Sequence, residues 1–256
     1  MTSKLAALVL CIIAAANVFA ASAHYPPRTT LTSMLVSDYL FRGQRLGGLS
    51  LQPGFDLNTG ESLAGMSANF PVKDKVADQS DPEFDVYASH SFSLRDEWRL
   101  IPGFTFYVYP NAPTRAGYYR SIFEPSLALS YTVAGVRITS TCYYDFARKG
   151  PTFELASALA LPLKTLGTEL DLAVSVGDYR LRDGFKNAAP EKKLSGNYWS
   201  LGASVPFQIT STSNIRIGIS YSAGFNSHIK QGAAPRTGNP LAARRAIAQV
   251  GYSLSF

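Results

Sequence analysis

Charged side chains in this chain recur at every second position of short segments whose alternate positions are apolar. The carboxylates are Asp56, Glu83, Asp85, Glu124, Glu154, Glu169 and Asp171. Arg137 and Arg216 fall on the same side, with Arg99 a further candidate. Charged groups withdrawn from bulk water must be paired or remain wet. Acids and bases gathered on one shared face therefore satisfy each other as a polar core, or they line a water-filled channel and set its selectivity. The sequence leaves both readings open.

Other chemistries find less support. The histidines are His24, His90 and His228, and no Gly-Xaa-Ser-Xaa-Gly motif accompanies them. His90 shares the parity of Phe84 and Val86, which turns it toward the apolar face near a strand end. No catalytic residue is assigned, and the chain is not expected to be an enzyme; a lipid-modifying hydrolase is the least supported reading. There is no His/Cys cluster and no calcium-loop spacing, and Asp74, Asp78 and Asp81 read as a solvated loop. No glycine loop of phosphate-cradling type is present either. Neither a metal nor a cofactor is expected.

The elements that carry these residues follow from the two-residue repeat. Leu51, Pro53, Phe55 and Leu57 oppose Gln52, Gly54, Asp56 and Asn58. Leu170, Leu172, Val174 and Val176 oppose Glu169, Asp171 and Ser175, and Ile215, Ile217, Ile219 and Tyr221 oppose Arg216, Gly218, Ser220 and Ser222. Such alternation predicts strands. The first segment, 31–42, has both faces mixed, so its inward side is not assigned. In all, about twelve strands of roughly nine to eleven residues are expected, the length a tilted strand needs to cross a bilayer.

The links between them alternate in length. Short ones lie at 59–62, 93–97, 132–135, 162–167 and 208–213; mostly longer ones lie at 43–50, 71–82, 110–120, 146–151, 178–197 and 224–245. Short turns at one end and long loops at the other describe an all-β fold, a transmembrane antiparallel up-and-down β-barrel, rather than a soluble sandwich. With both termini periplasmic, every long link falls outside the cell. Trp98, Tyr107, Tyr109, Tyr118, Tyr119, Tyr143, Tyr144, Trp199, Tyr221 and Tyr252 lie near strand ends and read as interfacial girdles.

Export signals frame this domain. Lys4, the apolar stretch 5–19 and the small residues Ala21-Ser22-Ala23 form a secretory signal peptide, residues 1–23, leaving 24–256 as the barrel. Cys11 departs with the signal, so Cys142 has no partner and a disulfide is excluded. Charged residues are 16% of the chain, below the roughly 25% usual in soluble domains. Mean hydropathy is +0.01, as expected where lipid-facing and lumen-facing residues alternate. Net charge is +6, or +5 once Lys4 is removed, and the basic residues sit mostly in loops with no basic helix or stripe. Contact with outer-membrane lipids and lipopolysaccharide fits this better than nucleic acid, which is not expected as a partner. At the chain end, Gln249, Gly251, Leu254 and Phe256 resemble the C-terminal signal read by the barrel assembly machinery.

Val36-Ser37-Asp38-Tyr39-Leu40-Phe41-Arg42-Gly43-Gln44, followed by Leu51-Gln52-Pro53-Gly54-Phe55-Asp56, resembles the TorF-type porin family of outer-membrane proteins. Glu83-Phe84-Asp85-Val86-Tyr87-Ala88 and Phe123-Glu124-Pro125-Ser126-Leu127 extend the likeness over the mature chain. Segment 64–70 departs from it by lacking a Trp, and loop 178–197 is enlarged. The resemblance implies a barrel with a porin role and no defined substrate. It adds Asp38 and Arg42 to Asp56, Glu83, Asp85 and Glu124 as polar positions that would join in one charge network. Together these readings point to passive diffusion of small polar solutes or ions. The alternative is a closed barrel that binds a partner through its external loops.

Overall fold

A computed structural model describes residues 27–74, 81–114, 118–181, 194–225 and 244–256. The alternating segments become strands, and the apolar half of each faces outward. Leu127 is 51% exposed, Ile219 67% and Val250 51%, while Glu124 and Ser130 on the opposite face are 3% exposed. A soluble sandwich would bury the aliphatic face. The inverse arrangement is stable only against hydrocarbon.

The strands are β1 (Arg28–Val36), β2 (Tyr39–Phe41), β3 (Gln44–Gly47), β4 (Ser50–Asn58), β5 (Ser62–Pro71), β6 (Glu83–His90), β7 (Phe92–Ser93) and β8 (Trp98–Val108). They continue as β9 (Ser121–Val133), β10 (Val136–Asp145), β11 (Gly150–Leu163), β12 (Thr168–Leu181), β13 (Leu194–Thr210), β14 (Ser213–Phe225) and β15 (Arg244–Ser255). Consecutive wall strands pair antiparallel, and β1 pairs with β4 on one side and β15 on the other. Register runs from Thr30↔Ser255 to Val36↔Gln249, so the sheet closes on itself. With β7 continuing the line of β6 against β8, and β2–β3 forming a separate hairpin, the wall is a closed twelve-stranded barrel. Closure leaves no strand edge, which is what lets a sheet sit in a bilayer at all.

Turn chemistry sets the ends. Ala134 and Gly135 take positive φ, 49° and 81°, in a two-residue turn between β9 and β10. Lys164–Leu166 make one 3-10 turn that ends on Gly167 in the left-handed region. All five short links emerge at one end of the barrel.

Three expectations are corrected. The mixed segment 31–42 is not one strand: the wall strand stops at Val36, and Tyr39–Phe41 turn out of the wall. Several strands exceed eleven residues: β11 and β12 have 14 and β13 has 17, so one side of the wall is taller. The loop expected at 178–197 is correspondingly shorter, because β12 continues to Leu181 and β13 resumes at Leu194. The signal peptide, His24, His228 and Asp78 lie outside the described residues.

Candidate functional site in the barrel lumen

The barrel interior is built from the polar half of each strand, and one segment that belongs to no wall strand enters it. After Val36 the chain bends at Ser37-Asp38, forms the β2–β3 hairpin, and rejoins the wall at Ser50. The hairpin turns on Arg42 and Gly43, both with positive φ, 49° and 72°. Their pairing partners Phe41 and Gln44 make it a two-residue turn of the kind that suits Asn-Gly or Gly-Gly. An Arg in the left-handed region costs roughly 1–2 kcal/mol, so its side-chain contacts must offset that strain.

They do so on the far wall. Arg42 donates from both terminal nitrogens to Glu124, Nη1 to Oε2 and Nη2 to Oε1, each at 2.7 Å. The guanidinium lies 4.7 Å from the Phe41 ring and 4.5 Å from the Tyr143 ring. Tyr107 donates to Glu124 Oε1 at 3.2 Å. A bidentate charge-assisted pair is among the stronger polar contacts available to a protein. Cation–π contacts contribute about 0.5–2 kcal/mol each. Burial alone would weaken the Arg42 charge, but the hydrogen bonds and charge of Glu124 outweigh it and lift its pKa above the ordinary arginine range.

Further contacts fix the hairpin along its length. Tyr39 donates to Glu83 on β6 at 2.8 Å, and burial, then the Glu83 charge, push the phenol well above its usual range, so it stays a neutral donor. Gln44 donates to Tyr179 on β12 at 3.1 Å. At the tip, a Cβ on Gly43 would sit 2.6 Å from Cβ of Tyr198 on β13 and 2.8 Å from Cα of Gly224 on β14. Only glycine allows that approach. At the base, Asp38 accepts from Arg45 Nε at 2.7 Å and meets Arg245 at 3.5 Å. In the ring of wall strands β10 stands six places from β1, so the Arg42 side chain of a hairpin rooted at β1 reaches the opposite wall, while the tip at Gly43 packs on β13 and β14.

The remaining predicted residues line the interior, with Glu154 and Asp85 one residue removed from the hairpin through Tyr198 and Glu83. Asp56 accepts from Tyr87 at 2.6 Å, Asp85 from Ser67 at 3.3 Å, and Glu154 from Tyr198 at 2.6 Å. Asp171 pairs with Arg216, which also donates to Ser204 at 2.8 Å. Arg137, Glu169 and Arg99 lie near the short-turn end, with Arg99 donating to Ser93 at 2.8 Å. Asp38 and Arg42, added by the resemblance, gather with Glu83 and Glu124 at the hairpin. They form three separate contacts, Asp38 with Arg45 and Arg245, Arg42 with Glu124, and Glu83 with Tyr39, rather than one network.

What sequence reasoning missed is aromatic. Tyr107 and Tyr143, read as interfacial, point into the lumen and build the Arg42 site, and Tyr109 lies near Glu83. Their parity already matched Thr105, Thr141 and Asp145, which was the signal available. Trp98 stacked on Tyr131 and Trp199 on Tyr221 do sit outside, near opposite ends. Exterior chemistry is thinner. Ser62 Oγ lies 2.7 Å from His90 Nδ1, but the two are cross-strand register partners and Ser62 is 6% exposed. Among the described residues no carboxylate bonds the other His90 nitrogen, and none forms a His/Cys/Asp/Glu group able to hold a metal.

No protein-family model matches the sequence, and no curated protein is similar to it. Solved outer-membrane barrels are similar in fold. The NanC porin aligns with a TM-score of 0.52 at 12% identity, over 88% of this chain and 98% of that one. The KdgM porin aligns with a TM-score of 0.51 at 9% identity, over 90% and 99%. Likeness at such identity speaks for the shared barrel fold and nothing finer.

Proposed function

We propose that this chain is an outer-membrane porin of the TorF type, exported by a cleaved signal at 1–23, that lets small polar solutes or ions diffuse through a lumen narrowed by its own β2–β3 hairpin. The observation that carries this reading is a closed barrel with a polar interior in which acids outnumber bases among the residues named above. Asp56, Asp85 and Glu154 have hydroxyl partners rather than cations, and such groups favour a wet interior over a dry plug. Selectivity then comes from lumen charge and from the gap left beside the hairpin. No reaction chemistry is assigned.

The test is single-channel recording of the folded chain in planar bilayers. Discrete steps whose cation preference falls in Asp56→Asn and Glu154→Gln support a pore lined by these residues. Silence from a heat-modifiable, correctly folded barrel, with the hairpin removed as well as present, overturns it. That result favours the second reading, a sealed barrel working through its outer surface, which the reach of Arg42 to the opposite wall also suits.

A further inference from the structure

Arg42 is held as a ligand is held. Its guanidinium lies 4.5 Å from the Tyr143 ring on the wall and 4.7 Å from its own neighbour Phe41, and both its terminal nitrogens donate to Glu124, whose side chain is 3% exposed. The receptor half of this arrangement, Glu124 with Tyr107 and Tyr143, belongs to the rigid wall strands β8, β9 and β10. The ligand half belongs to the turn of the short hairpin Tyr39–Gly47, which is strained at Arg42 itself. Strain at a point of contact is stored only where the surroundings over-determine it, and it lowers the cost of letting go.

We infer that Glu124, Tyr107 and Tyr143 form a recognition site for small solutes bearing a guanidinium group, and that Arg42 is its resident occupant. A free guanidinium offers the same planar donor fork to Glu124 and the same face to the Tyr143 ring, with Tyr107 still bonded to Glu124. It takes the site, Arg42 leaves, and the hairpin swings off the far wall. The solute class that fits the site is thus the class that widens the lumen. This rests on the pore reading for its consequence but not for its binding step. Because Arg42 is tethered, an outside competitor works against an effective concentration on the order of millimolar for a short linker.

The experiment reads the hairpin and the pore separately. In the full chain with Cys11→Ser and Cys142→Ser, a single thiol at Gln44→Cys is labelled with a water-soluble maleimide. Guanidinium chloride is titrated from about 1 to 100 mM, spanning that effective concentration, and labelling is expected to speed at least about fivefold. Equal sodium or tetramethylammonium leaves it unchanged. Glu124→Gln labels fast at all concentrations, and Tyr143→Leu, which keeps the carboxylate, shifts the titration if Glu124→Gln does not fold. Bilayer recordings then show guanidinium raising the open fraction of the wild type but not of Arg42→Ala. Labelling indifferent to guanidinium, or equally raised by tetramethylammonium, overturns the inference. Guanidinium-dependent labelling in a barrel that never conducts keeps the site and sinks the pore.

Discussion

Arg42 makes the sharpest single-residue prediction, because its role depends on shape as well as charge. Arg42→Lys keeps the charge but cannot form two parallel bonds to Glu124 or offer a planar face to the Phe41 and Tyr143 rings. Both Lys and Ala variants should therefore show larger, steadier conductance than the wild type, with Lys giving little rescue. Arg42→Ala also leaves Glu124 buried without its cation, a change that costs about 3–5 kcal/mol in a dry site. The retained Tyr107 bond keeps it toward the low end, readable as a lower temperature of heat modification. Arg216→Ala makes a different change: it removes a base from an acid-rich interior while Asp171 remains. The reversal potential in a salt gradient should move toward stronger cation preference. At this scale the sequence told the parity of Glu83, Glu124 and Glu154 through the alternation itself. It did not tell their partners, because parity can put Tyr107 on the inward face without saying which carboxylate of a distant strand it meets. Only the pairing of distant strands decides which.

Among the elements, the wall strands were legible and the hairpin was not. Strands alternate strictly because one face meets hydrocarbon and the other water, and a one-residue slip would exchange the two. Ile217→Arg, on the outer face of β14, should cost about 2–4 kcal/mol near the bilayer midplane. Gly202→Ser on the inner face of β13 should be nearly neutral, since a Cβ there has its nearest neighbour at 3.5 Å. Denaturant titration of the folded barrel in lipid compares the two. The hairpin hid for a physical reason. Ser37–Gln44 carries both apolar and polar residues on each parity because it leaves the wall and has no lipid side at all. The failure to assign a single inward face to 31–42 was itself the trace of that departure. Residue spacing alone could not say that the segment folds in rather than out.

For the whole molecule, closure at the chain end is made by backbone pairing and one Thr30–Ser255 hydroxyl contact at 3.0 Å, and the Phe256 ring takes no part in it. Thr29 and Phe256 exchange two main-chain hydrogen bonds at 2.9 Å, while Phe256 as a residue is 67% exposed. Phe256→Ala should thus leave the finished barrel as stable as before and lower only the yield of folded barrel in the membrane. Pulse-chase of the heat-modifiable form separates those two effects. The hairpin adds a condition on timing. It is made near the start of the chain, yet its anchors come 44, 82 and 135 residues later, at Glu83, Glu124 and Tyr179. Contacts so distant in sequence form late, and those on β9 and β12 have no place to dock until most of the wall stands. A newly inserted barrel therefore passes through a moment when its wall is sealed against lipid but its bore is clear. Where the wall closes first, the bore stays clear until Arg42 reaches Glu124.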